Sequence, residues 1–371
     1  MKVGIVMPLA EQRGGAEMAL RQLMQEGRDH DVRWHVVFLE EGPMVQEFRK
    51  LGVPTSVVQA GRVRHVHRYI RSVLQIRSIA KRQRLELLVS WMTKAHFYAG
   101  VAALIARLPS IWYQWGIPVS GARFDRLATI LPARGVIATS RAAAAAQARL
   151  RPVRDQRVVY PGVSLDRFDP GALPPPESAR AMLELDRTDP IVGFVGRLQR
   201  WKGAHVLVAA MPYVLEAFPK ARCAIVGGKH DLEPDYPDHL QKQIAARGLA
   251  DRVTLAGYQP DVPKWMHAMD VIVLPSDNEP FGITVIEAMA LAKPVIAGSS
   301  GGPTEIVTSG MDGVLVPHDS AQEIANAVVD CLRRPDHARS LGAAARDRAQ
   351  EFSTERYVTN LIRALRDLAA V

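Results

Sequence analysis

Short apolar runs alternate with longer segments of helical periodicity along the whole chain. The apolar runs predict buried strands, and the segments between them predict helices. In the first half we predict strands at 3–7, 34–39, 55–58, 87–90, 111–114, 136–139 and 158–160. In the second half we predict strands near Ile191, Ala224, Val253, Ile272, Val295 and Val314. This alternation predicts an α/β fold with two doubly wound parallel sheets.

The length and composition of the chain fit two such domains. A chain of 371 residues is too long for one ordinary core, and 48% of the residues are hydrophobic. The proline-rich segment 169–176 fits neither a helix nor a central strand, so it marks the break. We predict a first domain at 1–168, a linker at 169–189, a second domain at 190–352 and a final helix at 353–371.

The sequence predicts a cytoplasmic protein without disulfides. The chain opens directly into a strand rather than a signal peptide, and it has no run of eighteen apolar residues. Its two cysteines, Cys223 and Cys331, lie far apart, which fits a reducing compartment. The acidic stretch 231–238 is predicted to be a surface loop rather than a metal site.

Charge is divided unevenly between the two halves. Residues 1–165 contain 25 Lys and Arg against 11 Asp and Glu, and residues 166–371 contain 22 against 27. In the basic stretch 62–84, apolar residues recur at roughly helical spacing. Such a helix is typical of a surface that binds anionic lipid, and equally of a helix that covers a sheet. Nucleic-acid binding is disfavoured, because no recognised nucleic-acid motif accompanies the charge.

Three loops that follow predicted strands contain candidate chemistry. Glu279 and Glu287 lie eight residues apart across the start of a predicted helix, whose first N–H groups would face an anion or sugar hydroxyls. In the loop 196–203, Arg197 can chelate phosphate oxygens while Lys202 acts as a point charge, which suits a diphosphate. The glycine pair at 14–15 suits a phosphate or a sugar. Taken alone, the two glutamates are equally typical of a solvated loop and helix surface. A lone loop such as 196–203 is more commonly an ordinary basic turn, and the glycine pair alone is a weak signal.

Together these residues resemble glycosyltransferase family 4, the group 1 glycosyltransferases, which are retaining enzymes of the GT-B fold. The matching pieces follow that family's order along nearly the whole chain, at 14–17, 160–168, 196–203, 279–287 and 301–305. The resemblance implies two Rossmann-like domains that face a cleft, with the acceptor bound by the first and the nucleotide sugar by the second. It also implies that the final helix crosses back to the first domain.

The resemblance further implies transfer of a hexosyl unit from a UDP- or GDP-sugar to a saccharide or lipid-linked acceptor, in bacterial polysaccharide or glycolipid synthesis. Arg197 and Lys202 would stabilise the leaving diphosphate, and Glu279 would bind the hydroxyls of the donor sugar. The other residues implied to bind the donor are Gly15, Gly196, Phe281, Gly282, Ile283, Thr284 and, through the ribose, Glu287. The family uses a front-face mechanism without a protein base, and it requires no metal or other cofactor.

One position departs from the family's pattern. Many relatives have a His next to a Gly after the strand predicted at 111–114, close to the donor sugar, where this chain has Trp115. An indole can stack on a sugar and donate one hydrogen bond, but it cannot accept one. His96, after another predicted strand, is a candidate to supply the missing imidazole, although a lone histidine is more often structural.

Three functions stay open at this point. The transferase is favoured by the combination of the two glutamates with the Arg197 and Lys202 loop. A nucleotide-sugar epimerase can share the fold, and a weakened nucleotide-sugar-binding scaffold fits the Trp115 departure. The basic first domain would hold a transferase at the inner face of a membrane that bears the acceptor.

Overall fold

The chain forms two compact units in the computed structural model, which describes residues 1–11, 14–27, 30–61, 64–118, 123–151, 154–186 and 188–370. The first unit contains residues 1–162 and 354–371, and the second contains residues 163–353. Arg62 and Val63, which begin the basic stretch of the sequence, lie outside the described residues.

The described part of the first unit contains a parallel sheet of seven strands. They are β1 (Lys2–Met7), β2 (Arg33–Phe38), β3 (Thr55–Val57), β4 (Leu87–Trp91), β5 (Ser110–Gln114), β6 (Gly135–Ala138) and β7 (Asp155–Val158). Their order in the sheet is β3-β2-β1-β4-β5-β6-β7. Ile5 of β1 pairs with Val36 on one side and with Val89 on the other. The strand order therefore reverses between β1 and β4, which is where doubly wound sheets bind ligands.

Helices cover both faces of this sheet because its strands are nearly continuous apolar runs. They are α1 (Gly15–Glu26), α2 (Pro43–Lys50), α3 (Val66–Arg82), α4 (Met92–Ala106), α5 (Arg123–Ile130), α6 (Arg141–Leu150) and the last helix of the chain (Thr354–Ala370). One apolar cluster joins the sheet to α1, α2 and the last helix, and a second joins it to α3, α4 and α5. Since Val73 and Ile76 of α3 belong to that second cluster, the basic helix does cover the sheet.

The described part of the second unit contains a parallel sheet of six strands. They are β8 (Ile191–Val195), β9 (Arg222–Val226), β10 (Val253–Gly257), β11 (Val271–Leu274), β12 (Val295–Gly298) and β13 (Val314–Val316). Their order is β10-β9-β8-β11-β12-β13, so the strand order reverses between β8 and β11.

The helices of the second unit alternate with these strands. They are α7 (Pro176–Met182), α8 (Ala204–Ala217), α9 (Tyr236–Ala246), α10 (Val262–Ala268), α11 (Ile283–Ala290), α12 (Pro303–Ile306), α13 (Ala321–Arg333) and α14 (Pro335–Ala349). The main apolar cluster of this unit joins the sheet to α8, α9 and α13.

Two elements differ from the sequence prediction. The strand predicted at 158–160 begins three residues earlier, as β7 at Asp155–Val158. β7 is a half-exposed edge strand, so its polar residues form no apolar run that the sequence could show. The predicted linker 169–189 belongs to the second unit and contains α7, since proline is compatible with a first helical turn. Arg180 of α7 fixes that segment through an ion pair of 2.7 Å with Asp270.

Candidate functional site

The candidate site lies where the strand order of the second sheet reverses. β8 and β11 are parallel neighbours, so the loops that follow them leave the same edge of the sheet side by side. The first loop, 196–203, contains Arg197 and Lys202, and the second contains Glu279. The structure thus brings together residues that are about eighty positions apart in the sequence.

Two backbone contacts fix the loops against each other. The N–H group of Asp277 donates to the carbonyl oxygen of Trp201 at 2.7 Å. Gly203 adopts a φ of +79°, and a Cβ there would lie 2.2 Å from the carbonyl oxygen of Pro275. Only glycine allows this approach, so Gly203 sets the spacing between the two loops.

Lys202 and Glu279 form an ion pair between the loops. The ammonium group donates to Oε2 of Glu279, and the two side chains are 15% and 12% exposed. Burial lowers the pKa of Lys202, the Glu279 carboxylate opposes this effect, and Arg197 adds to it. The pair lines a small cavity together with Gly282 and Thr284. Lys202 pairs with the one carboxylate and Arg197 adds a second positive charge nearby, so these three side chains leave a net positive charge for an anion to neutralise.

The start of α11 adds backbone donors to the site. Gly282 precedes the helix with a φ of +111°, and this cap residue has no side chain with which to bind the first N–H groups. The first N–H groups, including those of Ile283 and Thr284, can therefore serve a ligand. Phe281 is buried with its ring against Phe352, at 5.8 Å between centroids, so its ring is part of the core.

Glu287 is a buried carboxyl group one turn into α11. It is 5% exposed, and burial raises its pKa to about 7, while the positive charge of Arg167 opposes that increase. Arg167 is exposed and lies in the 160–168 segment, where sequence reasoning assigned it no role. The sequence contained no signal for this neighbour, because 120 residues separate Arg167 from Glu287.

Arg197 has a neighbour that sequence reasoning also missed. Its Nη1 lies 3.4 Å from Nε2 of His230, in the loop after β9. The N–H group of Leu198 donates to the carbonyl oxygen of Gly228 at 3.1 Å, which joins the two loops. A Cβ at Gly227 would lie 1.9 Å from the carbonyl oxygen of Gly196, so this junction also requires glycine.

Arg200 contacts two carboxylates of the acidic stretch 231–238. The Arg200 backbone N–H donates to Glu233 at 2.9 Å, and the Arg200 guanidinium pairs with Asp235 at 2.7 Å. Within the described residues, no group of three or more His, Cys, Asp and Glu side chains could hold a metal ion.

In the first unit, Gly15 begins α1 at the carboxyl end of β1. The preceding residue, Gly14, provides no side-chain cap. The indole N–H of Trp91, at the end of β4, donates to the carbonyl oxygen of Ala16 at 3.0 Å. This bond joins the two chain segments where the strand order of the first sheet reverses.

Trp115 and His96 occupy different surroundings in the first unit. Trp115 is half-buried and packs on Trp91 and Tyr113, at 5.6 and 4.8 Å between ring centroids. His96 is 0% exposed, lies 3.0 Å from the hydroxyl oxygen of Ser90 and stacks on an indole of β5. Burial is the main cause that lowers the His96 pKa to about 3. The imidazole of His96 is therefore a neutral core group, which corrects its assignment to a sugar pocket.

No helix among the described residues is both long enough and apolar enough to cross a bilayer.

Two family models match separate parts of the chain. The model described as Glycosyl transferases group 1 matches residues 177–348. The model described as Glycosyltransferase Family 4 matches residues 13–167.

A curated relative matches the chain in part. The D-inositol 3-phosphate glycosyltransferase of Segniliparus rotundus is 35% identical over 211 residues, which are 56% of this chain and 46% of that protein. The chain thus matches about half the length of this relative.

Solved structures match the chain over its whole length. HepE of Anabaena, in a crystal structure in complex with UDP and glucose, has a TM-score of 0.88 and 26% identity, covering 99% of this chain and 100% of that one. Sucrose-phosphate synthase of Thermosynechococcus elongatus has a TM-score of 0.82 and 25% identity, covering 100% and 99%. The predicted GT-B fold class, with two Rossmann-like doubly wound domains, is confirmed. With both family models matched, the chain belongs to glycosyltransferase family 4, the glycosyl transferases group 1.

Proposed function

We propose that the protein is a retaining glycosyltransferase that moves a hexosyl unit from a nucleotide sugar to an acceptor. One observation carries the proposal. The Lys202–Glu279 pair lies with Arg197 where the second sheet reverses its strand order, beside the uncapped start of α11. Cations and helix N–H groups suit a diphosphate, and a carboxylate between them suits sugar hydroxyls.

The reaction breaks the bond between the anomeric carbon and the leaving phosphate oxygen. A bond from the acceptor hydroxyl oxygen forms on the same face of the sugar, and the acceptor proton passes to the leaving phosphate. Arg197 and Lys202 stabilise the negative charge that grows on that phosphate, so neither a protein base nor a metal ion is assigned a step. Glu279 accepts hydrogen bonds from the donor sugar, and Glu287 accepts them from the ribose hydroxyls.

The HepE structures favour a UDP-sugar as the donor, with a GDP-sugar as the alternative. HepE was crystallised with UDP and glucose and with UDP-glucose, and it is 26% identical to this chain. The name of the Segniliparus relative indicates a hydroxylated, phosphorylated ring as the kind of acceptor that such enzymes use. We assign the donor to the second unit and a saccharide or lipid-linked acceptor to the first, in bacterial polysaccharide or glycolipid synthesis. Gly15 stays a proposed donor-binding residue.

We also propose that the first unit binds the anionic inner face of a membrane. Eight large apolar side chains are exposed on α3, α4 and α5, namely Val66, Ile70, Leu74, Leu104, Ile105, Phe124, Leu127 and Ile130. The three helices share one apolar cluster, and Phe97 of α4 packs on Phe124 of α5 at 4.5 Å. Arg71 and Arg126 are exposed on the same helices. A surface that is both apolar and basic fits an anionic bilayer.

The test of the transferase is product analysis with a panel of UDP- and GDP-sugars. Each donor is incubated with saccharide and lipid-linked acceptors, and the anomeric configuration of the product is determined by NMR. We expect a glycoside with the configuration of the donor. Lys202→Ala should slow its formation by about 10² to 10³, whereas Lys220→Ala, at an exposed lysine before β9, should not slow it. An inverted product would contradict retention, and a changed sugar nucleotide without acceptor would indicate an epimerase.

A further inference from the structure

Beside the charged site lies a tyrosine–histidine pair to which the proposed reaction assigns no role. We propose that Tyr236 and His205 are positioning residues, which hold Lys202 in place through hydrogen bonds that form only while His205 is neutral. The inference rests on the proposed function, because its main readout is the reaction in which Lys202 stabilises the leaving phosphate.

Lys202 is held between two contacts with one neighbouring segment of the chain. The backbone N–H of Arg200, two residues before it, donates to the carboxylate of Glu233 at 2.9 Å. The backbone N–H of His205, three residues after it, donates to the hydroxyl oxygen of Tyr236 at 3.1 Å. Both acceptors lie at or just before the start of α9, so this one segment sets the position of the lysine.

The Tyr236 hydroxyl takes the place of a side-chain cap at the start of α8. The first four N–H groups of a helix have no partner within it, and Gly203, the cap residue of α8, has no side chain to offer one. The hydroxyl accepts from one of these groups, that of His205. Gln243 of α9 donates to the carbonyl oxygen of the same residue at 2.8 Å. Side chains of α9 thus bind both backbone groups of one residue in the first turn of α8.

The same hydroxyl determines which ring nitrogen of His205 has the proton. It lies 2.8 Å from Nδ1, and Tyr236 is 0% exposed, so the hydroxyl proton needs a protein acceptor. The backbone N–H of His205 can only donate. Among the residues that the structure describes, Nδ1 is the one acceptor within hydrogen-bond distance of this hydroxyl. The hydroxyl therefore donates to Nδ1, and the neutral imidazole has its proton on Nε2.

Protonation of His205 would break this arrangement. A charged imidazole has a proton on both nitrogens, so Nδ1 would become a second donor toward the hydroxyl oxygen. The buried hydroxyl proton of Tyr236 would then face no acceptor within the described part of the chain. An unsatisfied buried donor is costly, so the contact that holds the first turn of α8 would weaken.

The surroundings of His205 keep it neutral at physiological pH. Burial is the largest cause that lowers its pKa below the ordinary value of 6.5, and the neighbouring His239 and Arg200 add to this effect. Glu233 opposes them. The N-terminal end of α8 also disfavours a cation. The pair is therefore intact at neutral pH and is lost as the pH falls below that range.

The first experiment is the pH profile of kcat between pH 5 and pH 8, measured with saturating donor and acceptor. Tyr236→Phe keeps the ring and removes the hydroxyl. We expect it to lower kcat about tenfold at pH 7.5 with little change in KM, because a displaced Lys202 loses its effect on charge that grows in the transition state.

Two substitutions of His205 test the role of its acceptor nitrogen. His205→Leu removes the acceptor and should lower kcat about as much as Tyr236→Phe. His205→Asn offers an amide oxygen to the Tyr236 hydroxyl and cannot be protonated, so it should restore kcat at pH 7.5 to within about threefold of the wild type. It should also lose less activity than the wild type between pH 6.5 and pH 5.

Matched controls separate these effects from general changes. Tyr213→Phe makes the same substitution at an exposed tyrosine of α8 and should leave kcat unchanged. His239→Asn should keep the loss of activity in acid and move it to slightly higher pH, because a group that lowers the pKa of His205 is removed. Glu287 also titrates in this range, and the ratio of variant to wild type cancels its contribution. Thermal unfolding of each variant checks that the fold is intact.

A second readout concerns the proton itself. In the full chain labelled with ¹⁵N-histidine, the ring of His205 is assigned by its absence from the His205→Asn spectrum. We expect the Nε2–H tautomer at pH 7.5. An Nδ1–H tautomer would overturn the inference.

The kinetic outcomes separate the two levels of the proposal. If the wild type transfers a sugar, Lys202→Ala slows transfer and Tyr236→Phe does not, the role of the pair fails while the proposed function stands. The role also fails if His205→Asn loses activity in acid in parallel with the wild type. If the wild type transfers no sugar from any UDP- or GDP-sugar, the proposed function fails, and the role of the pair fails with it.

Discussion

The two units share one architecture and differ in the charge on it. The first unit contains 28 Lys and Arg against 13 Asp and Glu, and the second contains 19 against 25. Each sheet reverses its strand order once, between β1 and β4 or between β8 and β11. In the second unit, charged residues gather at that point although the unit is acidic. In the first unit, the surplus of positive charge is accompanied by exposed apolar side chains on α3, α4 and α5. The shared sheet topology sets where a ligand can bind, and the residues of the loops and of the outer helix faces determine what each unit can bind.

Burial shifts the pKa of Glu287 in the second unit and the pKa of His96 in the first unit in opposite directions. It raises the pKa of the Glu287 carboxyl to about 7 and lowers the pKa of the His96 imidazole to about 3. Both changes favour the neutral form, as expected for groups removed from water. His96 is uncharged in the core at physiological pH. Glu287 has a pKa close to physiological pH, so a ligand or a neighbouring cation can change its charge.

The largest expected effect comes from breaking the charged site of the second unit. We expect Lys202→Ala and Glu279→Gln each to lower the rate of transfer by about 10² to 10³, because each removes a group that acts on the reacting sugar or phosphate. The measurement is kcat with the identified donor and acceptor. Binding of the protein to lipid vesicles should not change. A variant that keeps more than a third of the wild-type rate would remove that residue from the mechanism.

The location of this site was predictable because its signals are local. The run 271–274, the loop with Glu279 and the following helix are adjacent in the sequence, and their order places the glutamate at the carboxyl end of a strand. His230 and Arg167 were not predictable in this way. Arg167 lies near Glu287 although the two residues are in distant segments of the sequence. His230 lies beside Arg197 only because the strand order places β9 next to β8.

The sequence also did not predict which residues of α3 are buried. The helical spacing of Val66, Ile70, Val73, Leu74 and Ile76 predicts an amphipathic helix. It does not show which of these apolar residues face the sheet. The structure buries Val73 and Ile76 and leaves the other three exposed. The burial of Val73 and Ile76 confirms that α3 covers the sheet, and the proposed lipid-binding surface concerns its other face.

The next expected effect is on stability. Between its ordinary pKa of 4.5 and its folded pKa of about 7, Glu287 binds more protons in the folded state than in the unfolded state. Its contribution to the free energy of unfolding therefore falls as the pH rises through that window and is constant above it. The shift corresponds to about 3 kcal/mol. We expect Glu287→Gln to remove this dependence and to be more stable than the wild type at pH 8.

The measurement is urea unfolding of both proteins at pH 5, 6.5 and 8. His96, in the first unit, acts in the opposite direction, because its pKa is lowered and its contribution rises with pH up to about 6.5. The difference between variant and wild type cancels that contribution. Glu216→Gln, the same substitution at an exposed glutamate of α8, is the matched control. A difference that does not change between pH 5 and pH 8 would contradict the raised pKa of Glu287.

A smaller effect is expected on the surface of the first unit. We expect the pair Leu74→Glu and Leu127→Glu to weaken binding to phosphatidylglycerol vesicles about tenfold or more, because each change removes apolar area and adds repulsion. Co-sedimentation with vesicles measures this. Leu232→Glu, at a leucine that is 81% exposed in the second unit, should leave binding unchanged. If the wild type does not bind vesicles but self-associates through these residues, the face is a contact between copies of the chain.

The smallest expected effect tests the departure at Trp115. Its indole packs on Trp91 and Tyr113, and its buried Nε1 has no hydrogen-bond partner among the described residues. Trp115→His should keep the fold at a loss of about 1–3 kcal/mol in the free energy of unfolding, because a smaller ring fills less of this aromatic cluster. The imidazole adds an acceptor that the indole lacks, so we expect donor affinity and transfer to rise several-fold. Calorimetric titration with the donor and initial rates measure the two quantities. If both fall sharply instead, Trp115 itself contacts the sugar, and the first unit contributes an aromatic surface to recognition where the second contributes charge.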